Sequence, residues 1–501
     1  MYPSKCSTLQ ITLVALSLAA VVGTGLAWTT ELPGASLKAD FPRSVKEPGE
    51  GLTSVPVPLN VSIDVCSTGA GISRPSCLDT PASAGGATLS HVVKAGENLG
   101  VIAARYRHLS RHYTLNEFLS DIRQVNALAS DLLRPGRELL IPLGQIRSGP
   151  LVSEPVSEGA TLRGIYLPGP ACGTAAVFER IDRFIAAGGN AVVIDGKDID
   201  GGVTFASSQK LASWGRERQR PLISRLPELL GRLHTQRVYV AVRIACFLDG
   251  ELGRKRPDLA LTDSLGAPWT EKGQVWIDPA QPEVRSYLLG LAIDLARLQV
   301  DEIQFDYVRF PTNGWPGGLA GDHRAAAAYR RQVISSFLRE ARLALADYPV
   351  RIAADLYGVM AWGRTVDEAA TGQHIPSIAQ QVDVICPMVY PSHYRQGFSG
   401  VDRPADHPAA FVAEGCRRFR ELAGEHAAIR PWLQAFPYGV GRYDHRYVLA
   451  QVEGALKVGA DGWCLWNPAG RYDAALGSGN VDLGLATSPP TVGLLIDTHS
   501  H

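Results

Sequence analysis

Asp301-Glu302-Ile303-Gln304-Phe305-Asp306-Tyr307-Val308-Arg309-Phe310-Pro311 is the stretch on which the fold turns. It opens as a strand, with apolar Ile303 and Phe305 alternating against Gln304, after an amphipathic helical run over residues 283–298. It then gathers a carboxylate, a phenol and a guanidinium within a few residues, which a plain core strand would not carry. Pro311 supplies no N–H to a ladder and ends the strand. A Gly-rich loop over residues 313–321 follows. A carboxylate at the C-terminal tip of a strand, with such a loop after it, is where an α/β barrel keeps its chemistry. The competing reading is an Asp306–Arg309 ion pair that only pins the loop.

Outward from this stretch the same pattern recurs. Strand one is expected over 162–167, with a helix over 174–187. Strand two, 190–194, runs into Asp195-Gly196-Lys197-Asp198, and strand three, 238–245, carries Arg243 inside an otherwise apolar run. Strand five, 350–354, ends at Asp355-Leu356-Tyr357-Gly358. Strand six, 382–389, ends at Tyr390-Pro391-Ser392-His393-Tyr394. Strand seven covers 429–436, and strand eight, 462–466, precedes Asn467-Pro468. Eight strand–helix units over about 310 residues suit a closed (β/α)8 TIM barrel. A doubly wound open sheet is the rival, and no Gly-x-Gly-x-x-Gly follows the first strand to support it.

Closure of that barrel would bring the strand tips to one face. Asp195, Asp198, Asp306, Asp355, Tyr390, His393, Gln434 and Asn467 lie at or just past tips, with Lys197, Arg243, Tyr307, Arg309 and Trp466 among them. Carboxylates beside aromatic platforms suit sugars, whose ring faces stack and whose hydroxyls need polar partners. Glycoside hydrolysis needs one carboxylic acid to protonate the leaving oxygen and a second carboxylate to attack or to activate water. Asp306 and Asp355 end adjacent strands, which fits the separation of about 5–5.5 Å of a retaining pair. Asp306 is therefore the candidate nucleophile and Asp355 the candidate acid/base. Arg309, Arg243 and Tyr390 would orient or stabilise charge, and Asp195, Lys197, Asp198, Tyr307, His393, Gln434, Trp466 and Asn467 would contact substrate. Single residues have plainer readings: Asp198 as a turn cap, Arg243 as counter-charge, His393 bonded to a loop carbonyl.

Residues 190–201, 301–311, Pro387-Met388-Val389-Tyr390-Pro391-Ser392-His393-Tyr394, Arg430-Pro431-Trp432-Leu433-Gln434 and Gly462-Trp463-Cys464-Leu465-Trp466-Asn467 together resemble a bacterial family of proposed glycoside hydrolases. The resemblance covers about Leu162 to Tyr472. It implies a TIM barrel distantly related to α-amylase-like and other retaining barrels, and it says little about substrate. One departure is Gly196, where the family has Val before the Lys. After Tyr472 no long eighth helix is apparent.

Ahead of the barrel, His91-Val92-Val93-Lys94-Ala95-Gly96-Glu97-Asn98-Leu99, Ile102-Ala103-Ala104-Arg105-Tyr106, Val125-Asn126-Ala127-Leu128 and Leu132-Leu133-Arg134-Pro135-Gly136-Arg137-Glu138-Leu139-Leu140-Ile141-Pro142 read as strand, helix, helix, turn, strand, with Pro135-Gly136 as turn chemistry. These residues resemble a LysM domain, which implies binding of N-acetylglucosamine-containing glycans, peptidoglycan or a chitin-like polymer. Residues 108–117 read as an insertion between the two helices. A spacer that binds nothing is the alternative.

The expected organisation is a signal peptide or membrane anchor over 1–28, a Pro/Ser/Gly-rich disordered tether over 29–89, and the LysM-like module over 90–144. The barrel follows over 160–476 and a tail over 477–501. Lys5 precedes an apolar run over 9–28, with Gly25 and Ala27 as small residues at a cleavage site. The run is also long enough to span a bilayer uncut. Both versions place the remainder outside the cytoplasm, secreted or in the cell envelope. Cys66 and Cys77 would close a local disulfide loop there, while Cys246, Cys386 and Cys464 fall in strands as buried thiols.

Lys plus Arg and Asp plus Glu are each 49, so nothing in the net charge favours nucleic acid. No Cys-x-x-Cys or His/Cys ligand spacing calls for zinc, and no cofactor is expected. A metal-dependent hydrolase is a lesser rival. The sequence thus reads as an exported glycan-active enzyme, with a non-catalytic glycan-binding protein on a degenerate barrel as the alternative.

Overall fold

The computed structural model describes residues 88–110, 112–143, 161–209, 221–314 and 323–477. The expected signal or anchor segment, the tether up to residue 87 with its Cys66–Cys77 pairing, and the tail from residue 478 lie outside them; Thr88 and Leu89, expected in the tether, belong to the first strand of the small module.

The small module pairs strands Thr88–Val92 and Glu138–Pro142 antiparallel, with helices Leu99–Tyr106 and Leu115–Val125 between them. Asn98 caps the first helix by accepting from the N–H of Val101. Thr114 and Glu117 cap the second reciprocally, satisfying two N–H groups that a helix start leaves unpaired. Leu99, Ile102, Phe118, Ile122, Leu139 and Ile141 fill its core.

The larger part is a closed barrel of eight parallel strands. Strand one (Leu162–Leu167), two (Ala191–Lys197), three (Tyr239–Ala245), four (Glu302–Asp306), five (Arg351–Tyr357) and six (Val384–Met388) pair in sequence order. Strand seven is broken at Pro431 into Ala428–Ile429 and Trp432–Gln434, and strand eight (Gly462–Trp466) returns to strand one. The expected strand seven was continuous. Proline explains the break, because it has no N–H for the ladder, although its carbonyl still accepts from the N–H of Cys464 at 2.9 Å. Strand five runs three residues further than expected, to Tyr357.

Side-chain alternation sorts the strands into two cores. Ile165, Val192, Val240, Ile303 and Phe305 point outward, under helices such as Ala176–Ala186, Leu226–Thr235 and Pro282–Arg297. Tyr166, Val193, Tyr239, Ala353, Cys386, Trp432 and Cys464 point inward. The interior also holds charge: Glu302 accepts from the Tyr239 hydroxyl at 2.9 Å and pairs with Arg430. Cys246, Cys386 and Cys464 are buried free thiols. Between strand three and helix Pro282–Arg297 the chain makes a small hairpin, Thr270–Glu271 with Gln274–Val275.

Candidate active site

On strand four, Glu302, Gln304 and Asp306 share the inward parity, and Asp306 is the last residue of the strand. Its Oδ2 accepts from Arg243 Nε at 2.8 Å and its Oδ1 from the N–H of Tyr307 at 2.6 Å. The ion pair of the opening stretch is therefore Asp306–Arg243, not Asp306–Arg309. Arg309 instead lies against three rings, 4.3 Å from the Tyr357 centroid, 4.7 Å from Trp276 and 5.3 Å from Tyr307. Tyr307 takes a left-handed backbone (φ 50°), which ends the strand sharply.

Phe305 pairs with Ala354, so Asp306 and Asp355 stand side by side one residue further on. Neighbouring strands are about 4.8 Å apart, so the two residues stand on adjacent backbones. Their surroundings differ. Asp355 is 1% exposed and, among the described residues, makes no ion pair; Gln304 Nε2 at 2.7 Å and Trp432 Nε1 at 2.8 Å both donate to its Oδ1. Burial, and then the charge of Asp306, push its carboxyl well above the usual range, which favours its protonated form. Both of these bonds end on Oδ1 and neither on Oδ2. One carboxylate fixed by a guanidinium beside one protonated carboxyl is the division of labour that acid-assisted displacement requires.

Arg243 is the hub of the other side. Its Nη1 donates to Asp195 Oδ1 at 2.6 Å, and Asp198 lies 3.9 Å away. The Tyr166 hydroxyl donates to the second oxygen of Asp195. Burial raises the Asp195 carboxyl to about 6, with Arg243 opposing the rise. Asp198 also accepts from the N–H of Ile199 at 2.7 Å, so it serves a turn while its side chain stays 48% exposed. Trp466 stacks on Tyr166 at 4.1 Å and meets Trp432 edge-on at 5.4 Å.

Across the mouth, Tyr390 is buried within electrostatic reach of Asp355 and Asp306, which raise its phenol after burial itself. His393 packs against Tyr390, Phe436 and Tyr438. Burial lowers its imidazole to about 4, so the ring is neutral near pH 7. Gln304 Oε1, Trp466 Nε1 and His393 Nε2 are buried without a hydrogen-bond partner. Such groups are rare unless something satisfies them, and sugar hydroxyls both donate and accept.

Three expected contact residues are used by the framework instead. Lys197 is fully buried, 3.0 Å from Asp249 and donating to Ala245 O at 2.6 Å. The cause is a bulge at Gly196: Asp195 pairs with inward Arg243, but Lys197 pairs with outward Ile244. Gln434 is also fully buried, donating to the carbonyls of Phe436 and Tyr438 and accepting from the N–H of Ser392. Asn467 donates to Ala435 O and accepts from the N–H groups of Ala469 and Arg471. Both brace loops behind the tips. Conversely Tyr166, Gln304 and Trp432 bond or pack against the candidate residues, and Trp276 and Tyr357 pack on Arg309, although none of them stood out in the sequence. Gln304 had a signal, since it shares the parity of Asp306; Tyr166 and Trp276 had none.

No curated protein matches the chain. Among solved structures, a hypothetical protein from Ruminiclostridium thermocellum is 28% identical, over 38% of this chain and 96% of its own (TM-score 0.33). The PgaB (BpsB) glycoside hydrolase domain from Bordetella bronchiseptica is 16% identical over 62% and 95% (TM-score 0.47). The spore cortex-lytic enzyme SleL of Bacillus megaterium is 14% identical over 79% and 85% (TM-score 0.40). Residues 91–142 match the LysM domain family. Residues 164–472, more than half of the sequence, match the family described as "Putative glycosyl hydrolase domain", and the chain belongs to that family.

Proposed function

We propose that the protein is an exported cell-envelope glycoside hydrolase that cleaves a peptidoglycan-type or related polysaccharide by a retaining, two-carboxylate mechanism. The observation that carries this reading is the unequal pair formed by Asp306, the last residue of strand four, and Asp355, inside strand five two residues before its end. Asp306, aligned by Arg243 and the Tyr307 N–H, attacks the anomeric carbon. Asp355 Oδ2 gives its proton to the leaving oxygen, and in the second half-reaction takes one from the incoming water. Trp466, half-buried and backed by the Tyr166 ring, offers an aromatic surface to the sugar, and Gln304 Oε1, Trp466 Nε1 and His393 Nε2, without partners among the described residues, offer bonds to its hydroxyls. The LysM domain supports an envelope glycan as target and a place outside the cytoplasm, as does the apolar run over 9–28. A second reading keeps Asp355 as acid but uses a substrate acetamido oxygen as nucleophile; the buried Tyr390 phenol beside both carboxyls favours it.

The test begins by incubating the protein with peptidoglycan and a panel of α- and β-glucans, with products read by mass. On the substrate so found, Asp306→Asn should abolish turnover while folding and glycan binding persist, because the amide cannot attack. Asp355→Asn should slow substrates with poor leaving groups far more than activated ones, which need little protonation. Near-normal turnover by Asp306→Asn would remove strand four from the chemistry.

A further inference from the structure

The segment between the two LysM helices, read from the sequence as an insertion, attaches the module to the barrel. Tyr113 is 7% exposed and packs into the barrel's outer core, edge-on to Phe178 at 5.1 Å, with its hydroxyl donating to Cys172 O. From the barrel, Arg225 donates to Arg107 O at 3.0 Å, to Ser110 Oγ at 3.2 Å and to Ser110 O. Arg232 bonds Glu117 at 3.2 Å and lies 3.6 Å over the Phe178 ring.

These anchors have a definite place on the barrel. Cys172 lies between strand one and helix Ala176–Ala186, and Arg225 directly precedes helix Leu226–Thr235, while Phe178 and Arg232 sit within those two helices. Residues between a strand's end and the next helix's start, here Cys172 and Arg225, lie on the face that carries the active site. A short chain of bonds leads from there to the cleft. Ile223 N donates to Thr204 O at 2.7 Å, and Thr204 Oγ1 donates to the backbone oxygen of Asp195 at 2.6 Å. Among the described residues these contacts use Arg107, Ser110, Tyr113 and Glu117 of the module. Val101 in its first helix, 47% exposed, and Leu132 in the loop before its second strand, 87% exposed, lie away from them.

We propose that docking makes the module and the barrel one continuous binding surface, which holds a single long glycan strand in the module while a further part of that strand lies in the cleft. This rests on the glycan reading of both parts given above. A partner held at a fixed offset binds the second segment at high effective concentration, worth up to about 10²–10⁴ over either site alone, whereas a swinging module would have to be ordered first.

The test uses the full chain carrying Asp306→Asn, so that ligand is not consumed, and peptide-free peptidoglycan glycan strands of graded length as the probe. Calorimetry should give long strands at least tenfold tighter binding than short ones. Adding Tyr113→Ala and Arg225→Ala should remove most of that gain while leaving short strands unchanged. Hydrogen exchange reports whether the module is released: amides over 107–117 and 172–178 should exchange faster, while those around Ile102, Phe118 and Ile122 stay protected. Arg225→Ala alone serves if the double variant unfolds. An unchanged long-strand affinity in a released module overturns the proposal, as does unchanged exchange or no binding at any length. Because nothing is turned over, the result stands apart from whether the wild-type chain hydrolyses these strands.

Discussion

Replacing Trp432 by Phe removes the indole N–H that bonds Asp355 at 2.8 Å and keeps most of the ring packing. A hydrogen bond to a carboxylate is worth about 1.5–3 kcal/mol, and one to a neutral carbonyl oxygen about 0.5–1.5. The indole therefore favours the ionised form of Asp355 by about 1–1.5 kcal/mol, and at about 1.36 kcal/mol per unit its loss raises that pKa by about one unit. The sign follows from the role. Asp355 must be protonated to act as acid, so activity is lost as pH rises through its pKa. Trp432→Phe should thus move the alkaline limb of the kcat/KM profile upward by about one unit. A ¹³C carboxyl titration of aspartate-labelled protein reads the same shift without substrate. Asp306→Asn should move that titration downward, because the charge of Asp306 helps hold the proton on Asp355. A Trp432→Phe limb that stays in place or falls would refute the assignment of Asp355 as the acid.

Other outcomes concern the framework and the address. Lys197→Met leaves Asp249 buried without its cation and should cost about 3–5 kcal/mol in urea unfolding, part of it recovered by Lys197→Met with Asp249→Asn. Glu302→Gln strands Arg430 in the barrel interior and should cost a similar amount, with little change in the pH profile if the chemistry sits at the tips. A reporter fused after Ser90 should be active outside the cytoplasm, and an active cytoplasmic reporter would exclude export.

Much of this was legible in the sequence because it is local. Strands one and eight were read to the residue, since apolar runs with turn residues at both ends leave little freedom. Asp306 was legible as a tip carboxylate because a polar cluster and Pro311 follow it, whereas Asp355, expected just past the end of strand five, lies inside a strand that continues to Tyr357. Partners were not legible, because they depend on register across strands. Arg243 chooses Asp195 and Asp306 only once strands two, three and four are aligned. Gly196 was visible as a departure, yet its effect, turning Lys197 to the outer side, is a property of the pairing with strand three. Gln434 and Asn467 sit at tips as expected, but their amides are consumed by loop carbonyls whose paths no pattern of residues specifies. Trp276 comes to Arg309 from the excursion after strand three, whose two-residue strands are too short to carry a period.

The Glu302–Arg430 pair at the inner end of the barrel also bears on assembly. Its partners are 128 residues apart, one in each half of the chain. A half-barrel that collapsed early would enclose one of these charges without its counterpart, a penalty that grows as water is excluded. Premature closure of either half on itself, or pairing with a half from another molecule in the wrong register, is thereby disfavoured. The interior charge acts as an order-of-events constraint: the barrel can dry out only after its first and second halves have found each other.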